Sequence, residues 1–274
     1  MTAQCGRFEN KVAIVSGGAD GMGAACVRQL AAEGAAVCAI DVKYDMAQAL
    51  AEELSAGGAK VAAFKGDVLD EAGFEAALSE AIAAHGRVDA LINVAGGSAS
   101  GLISEIDLEV FDRLYRLNFR STLIACRAVI PSMRANGGGS IVNMSSISGL
   151  RGDPDWAPYN SMKAAIINMT ECLAWEEGQY GIRVNAICPG PVASERMLAT
   201  ISDEHVAEYN RAIALGRLGA AEELAQAILF LASDQASFVT GAHLVADGGL
   251  TASTAQPTTW AKRPRQAPPA RGTT

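Results

Sequence analysis

The sequence predicts an α/β protein, a single doubly wound domain in which a mainly parallel, seven-stranded sheet carries helices on both faces. Three observations point to it. Short apolar runs alternate with helix-length amphipathic stretches, the order that builds parallel strands joined by crossover helices. The chain has 274 residues, of which 50% are hydrophobic and 19% charged, which suits one large core and excludes disorder throughout. The first strand also turns directly into a glycine-rich loop that opens a helix.

Strand one, 11–16, is carried by Val12, Ala13, Ile14 and Val15. In the helix at 22–33, Met22, Cys26, Leu30 and Ala31 recur on one face until Gly34 stops it. Strand two is expected at 36–41, a helix at 45–56, strand three at 61–66 and a helix at 71–85. Strand four, 88–95, is followed by a long helix over 105–134 and by strand five at 139–145. A helix over 157–180, strand six at 182–188, a helix at 221–232 and strand seven at 242–246 complete the domain, 1–250. The remainder, 251–274, holds Pro257, Pro264, Pro268 and Pro269 without any amphipathic period. It is expected to be an unpacked tail rather than an intersubunit arm anchored by Trp260, so truncation after Leu250 should leave turnover within about twofold.

Composition narrows the function. The net charge is −8, and no acid follows Asp247 while the tail carries Lys262, Arg263, Arg265 and Arg271, so the body is more acidic still. Such a surface repels nucleic acid and anionic membranes. No apolar run reaches the roughly 18 residues that a membrane span needs, and 1–10 lacks the basic-then-apolar order of a leader. A cytoplasmic protein is expected. Six cysteines show no CxxC pair, and those at 26, 38, 126 and 172 fall inside apolar patterns, which reads as buried free thiols. His85, His205 and His243 lack ligand spacing, and no metal site is expected.

The loop after strand one reads Ser16, Gly17, Gly18, Ala19, Asp20, Gly21, Met22, Gly23. Glycines there permit a tight turn, close approach of backbone to a pyrophosphate and close helix packing, while the helix N-terminus favours negative charge. Asp41 ends strand two, where a carboxylate accepts ribose hydroxyls and repels a 2′-phosphate; Asp20 adds repulsion. NAD is therefore expected over NADP, with Lys43 the residue that could reverse the preference.

These residues resemble the short-chain dehydrogenase/reductase family, in its short single-domain branch with a Rossmann-type nucleotide fold. Gly17, Gly21 and Gly23 have that family's glycine spacing. Asp67 and Val68 resemble its adenine-contacting pair; Asn93, Val94, Ala95 and Gly96 its strand-four motif; and Pro189, Gly190 and Val192 its turn beside the nicotinamide. The close at Asp247, Gly248 and Gly249 matches too. Two departures are visible: Ser16 stands for the usual threonine and keeps its hydroxyl, and Val94 stands for a second asparagine.

The resemblance implies a catalytic set of Asn118, Ser146, Tyr159 and Lys163. Tyr159 and Lys163, four apart, share a helix face, and an adjacent ammonium together with an oxidised nicotinamide would lower the phenol toward use as a general base. Lys163 would also bind the nicotinamide ribose. The family spacing selects Ser146 over Ser145 for the substrate oxygen, leaving Ser145 to satisfy backbone groups. Asn118, in an apolar helix, must be fully hydrogen-bonded, and the family gives it a water in a proton relay through Lys163. In the family the segment 191–217 covers the substrate; Val192, Met197, Leu198 and Tyr209 from it, with Ser98, Ser148, Asp153 and Trp156 from other loops, are candidate lining residues beside Ser146 and Tyr159, and the mostly apolar cover suggests an uncharged secondary alcohol.

The implied activity is hydride transfer between NAD and a small secondary alcohol or ketone, in a homotetramer or homodimer. The alternatives are an NADPH-dependent reductase of 3-oxoacyl thioesters and a catalytically silent nucleotide sensor.

Overall fold

The computed structural model describes residues 6–254. Seven parallel strands form one sheet in the order β3-β2-β1-β4-β5-β6-β7. They are β1 (Val12–Ser16), β2 (Ala36–Asp41), β3 (Lys60–Lys65), β4 (Ala90–Asn93), β5 (Gly139–Met144), β6 (Ile182–Pro189) and β7 (His243–Ala246). Every residue of β1 and β4 is buried, which is why these central strands read as unbroken apolar runs rather than alternating ones. The tail from 255 onward, with Trp260, lies outside the described residues.

The helices are α1 (Gly21–Ala32), α2 (Tyr44–Ala56), α3 (Glu71–His85), α4 (Leu108–Leu114), α5 (Ser121–Ala135), α6 (Ala157–Glu177), α7 (Glu195–Leu198), α8 (Asp203–Ala212) and α9 (Ala221–Ala232). One face of the sheet packs on a cluster with Leu30, Leu50, Ile228 and Leu229; the other packs on Phe74, Leu78, Val129 and Met133. The two layers make the sandwich that the strand–helix alternation requires.

Two expectations need correction. The helix expected over 105–134 starts at Leu108 and is split by a π-helical turn, Tyr115–Arg120. Asn118 sits in that turn with its side-chain amide donating to the Leu114 and Gly97 carbonyls, so the local widening accompanies a side chain that bonds to backbone. The other is Cys172, which is exposed: α6 buries Met162, Ile166, Thr170 and Ala174, and residue 172 falls on the opposite face. Cys26, Cys38 and Cys126 are buried free thiols, as is Cys188.

Candidate active site

The strand order reverses at the β1–β4 pair, and the connections that leave their carboxyl ends diverge, which opens a crevice there. Two loops build its floor. Gly17 adopts φ +77°, and a Cβ on it would stand 2.6 Å from the Ala95 amide nitrogen. A Cβ on Gly23 would stand 1.8 Å from the Gly17 carbonyl oxygen, so α1 approaches the loop as only glycine allows, whereas Gly21 faces open space. The Val94 and Ala95 amides donate to the Ser16 carbonyl at 3.0 and 2.9 Å and fasten the strand-four turn to the glycine loop. Such a cradle, with a helix N-terminus behind it, fits a dinucleotide diphosphate.

Asp41 borders the cradle. Its carboxylate accepts the Ala19 and Lys43 amides at 3.0 and 2.9 Å, an arrangement that holds it beside the loop and leaves lone pairs for ribose hydroxyls. The Lys43 ammonium pairs with Asp20, which raises its pKa, so this cation is already engaged by an acid of the loop. Asp67 and Val68 follow β3 at the same edge, where the Gly66 amide donates to the Asp41 carbonyl. The side chain of Asn93 does not face the cradle. It lies in the core, donating to Asn143 Oδ1 at 2.9 Å across β4 and β5, so its amide serves the sheet rather than a cofactor.

The reacting groups gather from β5 and α6. Ser145 directly follows β5 and donates to the Lys163 carbonyl at 2.8 Å, the backbone role anticipated for it. Ser146 turns the other way; its Oγ accepts the Ser148 amide at 3.1 Å and hydrogen-bonds the Tyr159 side chain. Lys163 is buried, donates to the Met144 carbonyl at 2.8 Å and has its ammonium 5.5 Å from the Tyr159 ring centre. Asn118 is buried and doubly tied to Gly97, accepting its amide at 3.2 Å and donating to its carbonyl at 2.9 Å. A Cβ on Gly96 would stand 2.7 Å from Asn118 Oδ1 and 3.7 Å from Lys163 Nζ, so the strand-four turn joins the cradle to the lysine.

Burial sets the proton affinities. It pushes the Lys163 amine down to about 8, with Cys188 acting weakly the other way. The Tyr159 phenol is pushed up by burial, the Ser146 hydrogen bond opposes this, and Asp153 raises and Arg196 lowers it further. In the protein by itself the Lys163 ammonium is directed to the Met144 carbonyl and burial outweighs the neighbouring charges, so the expected lowering of the phenol rests on the oxidised nicotinamide.

The turn after β6 closes the site. Gly190 donates to the Ala246 carbonyl at 3.0 Å, and a Cβ on it would stand 2.6 Å from Asp247 Cβ. Val192 is buried and bridges to Gly219, so the cover segment is tethered at its foot next to Pro189. Trp156 meets the Tyr159 ring edge-on at 6.2 Å, Ser148 and Met197 are half-buried, and Ser98 is exposed. Asp153, expected among the loop residues near the substrate, and Arg196, which was not anticipated, both act on Tyr159 through their charges; the four-residue α7 that carries Arg196 is too short to leave a periodic signal. A polar cavity of about 270 Å³ at the amino ends of the strands is no rival, because Arg7, Lys11 and Arg87 there are each engaged with an acid and Arg183 donates to backbone carbonyls. Among the described residues no helix is long and apolar enough to cross a membrane.

The chain matches the family described as enoyl-(acyl carrier protein) reductase over residues 17–251. It is 38% identical to 2-(S)-hydroxypropyl-CoM dehydrogenase 3 of Xanthobacter autotrophicus over 251 residues, which covers 90% of this chain and 98% of that protein. It is equally 38% identical to the cyclopentanol dehydrogenase of a Comamonas species, with 90% of this chain and all of that one covered. The solved structure of a 7α-hydroxysteroid dehydrogenase complexed with NADH and 7-oxo glycochenodeoxycholic acid superposes with a TM-score of 0.87 at 31% identity, covering 91% of this chain and 98% of that one.

Proposed function

The chain belongs to the short-chain dehydrogenase/reductase family, and from that premise we propose that it is an NAD-dependent dehydrogenase of small secondary alcohols, run in reverse as a ketone reductase. The observation that carries this reading is the convergence of Ser146, Tyr159 and Lys163 at the carboxyl ends of the strands, beside a glycine cradle that fits a dinucleotide. The relatives named for cyclopentanol, hydroxypropyl-CoM and hydroxysteroid dehydrogenation support the secondary-alcohol class.

When bound, the dinucleotide supplies the carbon that accepts or returns the hydride. Gly17, Gly21, Met22 and Gly23 would hold its diphosphate, Asp41 its adenosine ribose, Asp67 and Val68 its adenine, and Ala95, Gly96, Pro189, Gly190 and Val192 its nicotinamide half. Ser146 orients the substrate oxygen. Tyr159, protonated at neutral pH, gives its proton to a ketone oxygen or, once deprotonated, takes the proton of an alcohol. Lys163 receives that proton at the next station, and Asn118 holds the turn to which Lys163 is apposed. Residues 1–250 form the domain, with 191–217 as its cover.

NAD rather than NADP is supported by Asp41 and by the engagement of Lys43 with Asp20, which leave two carboxylates and one already paired cation around the ribose. The same acids oppose the NADPH-dependent thioester reductase, and the complete Asn118, Ser146, Tyr159 and Lys163 set opposes a silent sensor. Exposed Trp175 and Phe238 offer apolar surface for assembly into a homotetramer or homodimer, proposed here as cytoplasmic.

The test is NAD reduction across a panel of secondary alcohols at mildly alkaline pH, with the reverse screen on ketones. Asp41→Ala is expected to lower kcat/KM for NAD more than for NADP, because it deletes a ribose acceptor and a repulsion together; a wild type that favours NADP would contradict the cofactor assignment. A pH series adds a second check. With Lys163 depressed to about 8, the neutral amine that accepts a proton predominates only above that pH. Oxidation kcat/KM is therefore expected to rise through about pH 8, and Lys163→Arg, which stays charged, should abolish that rise. A wild-type profile flat between pH 7 and 9 would remove Lys163 from the relay.

A further inference from the structure

We infer that Arg196 completes the diphosphate site from above, its guanidinium binding the dinucleotide's phosphates opposite the glycine-rich loop. The inference rests on the dinucleotide-binding reading and adds a residue from the cover segment to it. Its geometric basis is the floor already described: the glycine loop lies against Ala95, and the turn continues through Gly96 to Gly97, which Asn118 holds by two hydrogen bonds. Above that floor, Arg196 Nη2 is 3.9 Å from the place a Gly97 Cβ would occupy.

The guanidinium has no hydrogen-bond or ion-pair partner among the described residues, in a chain with 30 acids against 22 bases. Its field reaches both ends of the crevice. It disfavours the charge on Lys43, beside the ribose-binding acid, and favours phenolate at Tyr159, beside the reacting carbon. Beside Gly97 and within electrostatic range of both ends, the cation is in reach of the span between them, where an extended dinucleotide carries its two phosphates.

The chemistry is complementary. The glycine loop offers backbone N–H groups and a helix N-terminus from one side, but its rim carries Asp20 and Asp41, which repel phosphate. A planar guanidinium from the other side offsets that repulsion and can bind two phosphate oxygens at once. Arg196 rides on α7, whose first turn is capped by Ser194 Oγ accepting the Met197 amide at 3.2 Å and whose foot is held by the Ala193 amide donating to Gly219 at 2.9 Å. The side chain is thus presented on a tethered, solvent-facing turn.

Calorimetric titration of the wild type, Arg196→Met and Arg196→Lys with NADH, ADP-ribose and adenosine tests the inference without any turnover. The exposed position keeps the variants folded, which their melting temperatures check. Arg196→Met is expected to weaken NADH and ADP-ribose by ~10-fold or more, to leave adenosine unchanged, and to flatten the salt dependence of NADH binding, with Arg196→Lys intermediate. Unchanged NADH affinity in Arg196→Met, or an equal loss for adenosine, would overturn the inference. So would unchanged NADH affinity with a loss of kcat/KM confined to anionic alcohols, which would give Arg196 to the substrate instead. A wild type that binds none of the three ligands fails the dinucleotide reading itself.

Discussion

Tyr159→Phe is expected to lower turnover by at least ~10²-fold in both directions while NADH affinity stays within about twofold, the scale set by removing a positioned acid–base group. The substitution deletes one oxygen and keeps the ring, so the edge-on contact with Trp156 and the packing of α6 remain. What disappears is the group that Ser146 hydrogen-bonds and the only proton donor placed between the substrate oxygen and Lys163 in the proposed mechanism. Steady-state kinetics with the best alcohol of the panel, together with an NADH titration, checks it. Turnover within a few-fold of wild type would discard Tyr159 as the proton-transferring group.

Gly23→Ala is expected to abolish dinucleotide binding at concentrations that saturate the wild type, and to lower the melting temperature by ~5 °C. The added methyl would stand 1.8 Å from the Gly17 carbonyl oxygen, which is backbone and cannot rotate away, so α1 must move off the loop. Overpacking of this kind costs about 1–3 kcal/mol, and in a domain of this size each 1 kcal/mol moves the transition by about 2–4 °C. The binding loss follows because the amides that face the diphosphate move with the helix. Thermal melting and NADH titration measure the two effects separately, and a variant that binds NADH normally would show that the close approach of α1 is not what shapes the cradle.

Much of this architecture is written in local sequence. Val12–Ala13–Ile14–Val15 and the Met22, Cys26, Leu30 spacing specify a buried strand and the helix that covers it, and Gly17, Gly21 and Gly23 specify how the two join. The Tyr159 and Lys163 pair lies on one helix face because four residues make about one turn. Other features arise only from tertiary contacts. The π-helical turn at Tyr115–Arg120 is invisible in periodicity, although a lone amide at Asn118 in an apolar helix is a signal that the backbone there must provide partners. Cys172 looks apolar but faces away from the core, since the face of α6 is set by what packs on it. The proton affinity of Tyr159 depends on burial, on the Ser146 hydrogen bond, and on Asp153 and Arg196 from two distant segments, which no spacing encodes. Arg196 carries no signal in the sequence, because an exposed arginine on a helix of a single turn gains meaning only from the cleft beneath it.

The central claim is that a hydride moves directly between a secondary carbinol carbon and the nicotinamide. Incubating the enzyme with NAD and a panel alcohol deuterated at that carbon, then reading the isotope content of the reduced nicotinamide by mass spectrometry, tests it most directly. The account predicts one deuterium on each reduced nicotinamide formed, in the wild type and in the residual turnover of Tyr159→Phe alike, since that substitution touches the proton and not the hydride. Reduced nicotinamide without deuterium, or no reduction from any secondary alcohol by a protein that binds NADH, would contradict it.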